Sequence, residues 1–320
     1  MNGLKWLLAG VTLIIPVISP AADVCRNRGD LDAAYCDENR DHLPDPPKDS
    51  TRYKDPVLLT FMYTPVQDPS VNEKIFEPFT AYLAQCTGKK VVYAKLQSDA
   101  EELEAMRSGK LHIAGFSTGA TVSAVNKAGA VAFAAKGKAD GKYQGYHLIF
   151  IVKKASPYQK LIDLKGKKIA HVSETSNSGH MAPLALLPRL GLTPGKDYEP
   201  VFSGKHEKSI LGVRSGEYDA APVASDVFHR MASLGQIKED DFRILYSSQR
   251  FPTSSIAYAH DLAPAIRERI VKCFFDFRHP PEMQKAFDNA DRFVPIVYLR
   301  DWEIVRVVVA NSERLKAGKK

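Results

Sequence analysis

"DAEELEAMRSGKLHIAGFSTGATVSAVNKAG", residues 99–129, decides the fold class. Residues 99–109 read as a helix that stops at Gly109. Residues 111–116, "LHIAGF", are a short apolar run of strand type, and 117–129 read as a second helix opened by Ser117, Thr118 and Gly119. Helix, strand and helix in so short a span imply α/β architecture around a parallel sheet.

The alternation continues in both directions. Upstream, "VLLTFMY" (57–63) is a buried-strand candidate, "SVNEKIFEPFTAYLAQCTG" (70–88) has helical spacing with Gly88 as its stop, and "KVVYAKL" (90–96) is a strand. Downstream, 163–172, 198–204, 205–223 and 225–235 repeat the pattern, and "APAIRERIVKCFFDF" (263–277) and a helix from about Asp301 to Leu315 close the chain. Two long extended passages, 146–154 and 242–259, bracket the middle third. The simplest organisation is a first lobe of 55–145 plus 250–315 and a second of 146–249, joined by two crossing strands. Ligands of open α/β sheets bind where strand C-termini and helix N-termini meet, here a cleft between the lobes.

With 320 residues, the chain has room for two domains. At 44% hydrophobic and 25% charged it has ordinary globular composition. The formal net charge of +7 is scattered, without a basic stripe interleaved with aromatics, which argues against nucleic acid as a partner. The start, "MNGLKWLLAGVTLIIPVISPAA", has Lys5, an apolar run from Trp6 to Ile18, and small residues at cleavage-site spacing. It reads as a signal peptide (1–22) cleaved near Ala21–Ala22, with an uncleaved anchor as the alternative. Export to the periplasm follows. Residues 23–54, charged and proline-rich, form an N-terminal extension.

Four cysteines fit an oxidising compartment. Cys25 and Cys36 lie close together and are expected to close a small loop, a staple of roughly 3 kcal/mol on chain-entropy grounds. That leaves Cys86 for Cys273; the alternative is that these two are unpaired core thiols. No CxxC or HExxH spacing occurs, so no metal is expected, and nothing asks for a cofactor.

Three segments share one design: "FSTGA" (116–120), "TSNSGH" (175–180) and "FSGKHEKS" (202–209). Each follows a strand and opens a helix, offering backbone N–H groups beside hydroxyls. Such helix starts favour anions. Three meeting in one cleft would hold a tetrahedral oxyanion with neutral donors alone, among them Ser203 and His206. His180 is a donor or a first-turn residue on equal terms. A single cluster of this kind is no more than a helix cap; three of them are harder to explain that way.

The combination of 98–120, 175–187 and 203–231 resembles the PhnD-type phosphate, phosphite and phosphonate-binding proteins of ABC transporters, and "ILYSSQRFPTSSIAY" (244–258) is similar to that family's return strand. The resemblance spans about residues 55–295. It implies a two-lobed type II periplasmic binding protein fold with two hinge-crossing strands, a small phosphorus oxyanion as ligand, and a membrane permease with its ATPase as partners of a monomeric, non-enzymatic receptor. Matching motif positions implies that Ser176, Asn177, Ser178 and His206 contact the ligand's oxygens. Ser117 and Thr118 would face them from the first lobe. Asp226 matches the family's cleft acid, Tyr63 the first-strand aromatic, and Phe116 the position of a tyrosine in aminophosphonate-binding members.

Members that take aminophosphonates are expected to hold the ammonium with two acids, and Ser254 stands at the second of these positions. A lone buried carboxylate beside an oxyanion is costly unless the ligand brings a P–OH proton for it. Sulfate at neutral pH brings none, so Asp226 would reject it. These residues therefore point to a small phosphorus oxyanion with an uncharged tail. A ligand sensor docked on a membrane kinase would use the same cleft. A secreted phosphoester hydrolase would need a nucleophile with its base or a metal cluster, and neither spacing appears.

Overall fold

The structure is a computed structural model that describes residues 25–64 and 69–317. The expected signal peptide, 1–22, and its cleavage point lie outside the described residues. No helix among the described residues is long and apolar enough to cross a membrane.

The chain runs β1 (Leu58–Tyr63), α1 (Pro69–Thr87), β2 (Lys90–Tyr93), α2 (Asp99–Arg107), β3 (Ile113–Phe116), α3 (Thr118–Ala128) and β4 (Ala130–Gly137). It continues through β5 (Gly145–Lys153), β6 (Lys168–His171), a wide helical turn at Asn177–Met181, α4 (Ala182–Leu186), β7 (Glu199–Phe202), α5 (His206–Ser215), β8 (Ala220–Ala224), α6 (Ser225–Ser233) and β9 (Phe242–Pro252). It closes with β10 (Ser255–Ala259), α7 (Pro264–Asp276), α8 (Pro281–Ala286), β11 (Arg292–Pro295), α9 (Tyr298–Asp301) and α10 (Glu303–Ala317). Local chemistry explains α2 well. Ser98 accepts the Glu101 N–H at 3.2 Å, acids fill the first turn and Arg107 the last, all in favour of the helix dipole.

Two sheets result. The first has strand order β11-β4-β10-β3-β1-β2, the second β7-β6-β8-β5-β9. Both are mixed, where alternation alone implied parallel sheets. β2, β1 and β3 pair in parallel, as do β7, β6 and β8, whereas β10, β4 and β11, and β5 and β9, join antiparallel. The reason lies in the crossings. The chain passes to the second sheet between β4 and β5 and returns between β9 and β10, so the returning strand inserts between β3 and β4.

The first sheet's core is aromatic. Phe61, Phe76, Phe79, Phe274 and Phe293 are essentially inaccessible, and the Phe79 and Phe274 rings stand 4.6 Å apart edge to face. Cys86 and Cys273 are bonded and tie α1 to α7; Cys25 and Cys36 are bonded too. The segment 25–54 lies on the first sheet's layer. Tyr35 is buried edge-on to His260 at 5.0 Å, the Asp32 N–H donates to the Asn126 carbonyl at 2.7 Å, and Lys54 pairs with Asp261 at 2.6 Å. At the other end, α10 packs on α3, on α4 and on the turn at 177–181, so it touches layers of both sheets.

Candidate functional site

A cavity of about 540 Å³ opens where helix starts from both sheets face each other. β3 delivers Ser117 and Thr118 at the start of α3, β6 delivers Ser176, Asn177 and Ser178 in the wide turn, and His206 opens α5. Tyr63 and Asp226 join them, from the end of β1 and the first turn of α6.

Two glycines make this convergence possible. A Cβ on Gly115 would collide with the ring of Tyr63, its partner in the β1–β3 register, so glycine lets that ring lie over β3. A Cβ on Gly119 would strike the Thr175 carbonyl and the Met181 side chain, so glycine lets α3 approach the 175–181 segment. The Thr175 hydroxyl also donates to the Asp99 carboxylate, a second bond across the cleft.

Five buried polar atoms on the wall have no hydrogen-bond partner among the described residues: Tyr63 Oη, Thr64 Oγ1, Ser117 Oγ, Asn177 Oδ1 and Asp226 Oδ1. Three are hydroxyls able to donate and two are acceptors. Buried groups without partners are uncommon, so five on one wall describe a site complementary to a guest that both accepts and donates. Around them the fold fixes geometry. The Asn177 Nδ2 donates to Tyr146 Oη at 3.1 Å, which leaves its Oδ1 toward the cavity. Asn72 Nδ2 donates to the carbonyls of Tyr63 and Thr64 at 3.2 and 3.0 Å and pins that loop. Ser176 Oγ accepts the Gly179 N–H at 3.1 Å.

The sequence model of the family described as ABC transporter, phosphonate, periplasmic substrate-binding protein matches residues 61–301. The chain belongs to this family. This phosphonate-family protein is 25% identical over 283 residues to the phosphate-import protein PhnD of Mycolicibacterium smegmatis, covering 85% of this chain and 88% of that one. It is 24% identical over 216 residues to the phosphonates-binding periplasmic protein of Escherichia coli, covering 66% and 64%. Its fold is similar to that of PhnD1 from Prochlorococcus marinus in complex with methylphosphonate, with a TM-score of 0.69 at 19% identity over 82% of this chain and 99% of that one. It is likewise similar to the binding component of a Pseudomonas aeruginosa ABC phosphonate transporter, with a TM-score of 0.66 at 19% identity over 82% and 98%.

Electrostatics sharpen the roles in this phosphonate-family protein. His206 Nδ1 accepts the Ala224 N–H at 3.2 Å, so the neutral ring carries its hydrogen on Nε2. Burial, helped by Arg230, pulls its pKa down to about 4, which keeps it neutral. Burial pushes the Asp226 carboxyl up, against the pull of Lys136 and Arg230, and makes it a stronger proton acceptor. Asp99 is raised by burial and restrained by the Thr175 hydroxyl.

Some expectations change. Phe116 is fully buried and does not line the cavity; it pairs with Ser255 in the sheet, and the wall position falls to the next residue, Ser117. Thr118 lines the cavity, but its hydroxyl donates to the Pro252 carbonyl at 3.1 Å, so it positions the hinge. Ser203 turns inward to Ser209 Oγ at 2.6 Å. His180 lies behind the turn, its Nδ1 3.0 Å from His171 Nδ1. The neutral-donor picture is incomplete as well, because Lys136 and Arg230 also line the cavity. Arg230 pairs with Glu207 at 3.4 Å. Thr64, Asn72, Tyr146 and Lys136 were not singled out from the sequence. Tyr146 and Lys136 sit on β5 and β4, and a polar residue in an apolar strand running into a crossing was the available signal for Lys136.

Proposed function

We propose that this protein is an exported receptor that captures a small phosphorus oxyanion (phosphite, phosphate or a phosphonate) and presents it to a membrane permease and its ATPase. The lobes are 55–145 plus 250–315 and 146–249, and the ligand sits between them. The observation that carries this reading is the unpaired set on the cavity wall, three hydroxyls and two acceptors including Asp226. Hydroxyls donate to P–O⁻ while Asp226 accepts P–OH, a combination that a protonated phosphorus monoanion satisfies and sulfate does not. The names of the relatives, one a phosphate importer and one a phosphonate binder, agree with this chemistry.

Residues Ser117, Ser176, Asn177, Ser178, His206, Tyr63 and Asp226 form the ligand set, with Thr118 as a positioning residue. The protein works as a monomer, after removal of residues 1–22 in the periplasm, without cofactor or nucleic acid. On this reading the protein binds without catalysing, and His206, whose Nδ1 accepts the Ala224 N–H, serves the ligand as a donor.

A thermal-shift screen of phosphite, phosphate, methylphosphonate, 2-aminoethylphosphonate and sulfate tests the reading. A true ligand at a hundredfold excess over its Kd adds about 2.7 kcal/mol of stability. At least one phosphorus ligand should raise Tm and sulfate should not. A shift with sulfate alone, or with none of the five, contradicts the proposal.

A further inference from the structure

Lys136 is the next-to-last residue of β4, just before the chain leaves for the second sheet, and its side chain lines the cavity. Its Nζ lies 4.6 Å from the Phe287 ring centroid and 5.6 Å from that of Tyr63. Among the described residues no carboxylate comes within 4.0 Å of it. The cavity's other charges are arranged differently. Glu207 pairs with Arg230 at 3.4 Å, Asp99 accepts from Thr175, and Glu174 is at the exposed rim. Asp226 feels the Lys136 charge, yet its Oδ1 has no hydrogen-bond partner. A fixed ammonium and a buried carboxylate oxygen therefore share the cavity without meeting.

We infer that Lys136 determines specificity: its ammonium, seated over Tyr63 and Phe287 on the cavity wall, repels a cationic ligand tail, so the protein selects phosphonates whose substituent lacks an ammonium and favours those whose substituent carries a carboxylate. The inference rests on the reading of the cleft as a phosphorus-oxyanion site. The physics is a matter of sign. A 2-aminoethyl tail would bring a second ammonium beside the first inside the cavity, where like charges repel more strongly than in bulk water. A carboxylate tail would give Lys136 the anionic partner it lacks, as a charge-assisted hydrogen bond. A volume of about 540 Å³ leaves room for a substituent beyond the phosphorus group. Two aromatic faces hold the ammonium in place, so the charge is set in position before the ligand arrives.

Calorimetric titration of the mature protein with methylphosphonate, 2-aminoethylphosphonate and 3-phosphonopropionate tests this, using wild type, Lys136→Met and Lys136→Arg. Wild type should bind 3-phosphonopropionate at least about tenfold more tightly than 2-aminoethylphosphonate. Lys136→Met keeps the apolar stem, and that preference should collapse to within about threefold; Lys136→Arg should retain it. Lys136→Gln provides a second neutral variant if the methionine variant does not fold. An unchanged preference in the neutral variant overturns the inference, and so does an equal loss for all three ligands, which would place Lys136 on the phosphorus group itself. Both outcomes leave the oxyanion reading standing. Failure of wild type to bind any of the three overturns the inference and leaves the oxyanion reading to be decided by phosphite and phosphate.

Discussion

His206 accepts the Ala224 backbone N–H through Nδ1 at 3.2 Å, and this single bond fixes which edge of the ring can serve a ligand. Asparagine places an oxygen where Nδ1 was and nothing where Nε2 was. His206→Asn should therefore keep the Ala224 contact and lose the ligand donor. The expected result is a drop in ligand affinity of about tenfold to a hundredfold. Calorimetry measures it, and a melting temperature close to wild type shows that the fold is kept.

Gly119 meets the Thr175 carbonyl and the Met181 side chain with no room for a Cβ. Gly119→Ala should obstruct the approach of α3 to the 175–181 segment. Ligand affinity should fall by at least about tenfold, since the two halves of the donor set can no longer meet. Small-angle scattering should then show a ligand-induced contraction in wild type that the variant lacks.

In the proposed ligand set, Asp226 discriminates by charge. Its Oδ1 is buried without a partner, so a ligand lacking a proton leaves it facing another anion. Asp226→Asn replaces an acceptor with a group that also donates, which sulfate can use. The ratio of phosphite to sulfate affinity should fall by at least about tenfold. An unchanged ratio by calorimetry removes Asp226 from the discriminating role.

Buried neutral histidines make the fold sensitive to acid. Folded His206 is held down to about 4 and His171 to about 3, each mainly by burial, from an ordinary value of 6.5. Between pH 6.5 and these values the unfolded chain binds protons that the folded chain refuses, so this stability is full above 6.5 and is lost as pH falls. For His206 alone the effect is on the order of 3 kcal/mol. Asp99, Glu102 and Asp226, all raised by burial, act with the opposite sign, so the readout is a difference. Urea unfolding at pH 7 and pH 4.5 should show His206→Asn losing less stability than wild type.

Much of this architecture is readable from periodicity. The helices at 69–87, 99–107 and 118–128 and the strands between them announce themselves by spacing, caps and glycine stops. β4 does not, because "AVAFAAKG" is half alanine and has only Val131 and Phe133 as larger apolar residues, too few to mark a buried strand. Its omission also hid Lys136. The insertion of β10 between β3 and β4 was out of reach for a different reason, since strand order is set by how the chain returns and not by any local signal. Helix-start chemistry pointed to the segments that carry Ser117, Asn177 and His206, which line the cavity. It could not tell Ser203, which turns inward, from Ser117, whose Oγ has no partner; that difference depends on which neighbours tertiary packing supplies.

A crystal structure of the protein grown with methylphosphonate decides whether donors from both sheets close on one phosphorus atom. The phosphonate should lie inside the cavity, its oxygens accepting from Ser117 and from His206 Nε2, with Asp226 against P–OH. A phosphonate held by residues of one sheet only, or outside the cavity, contradicts that expectation.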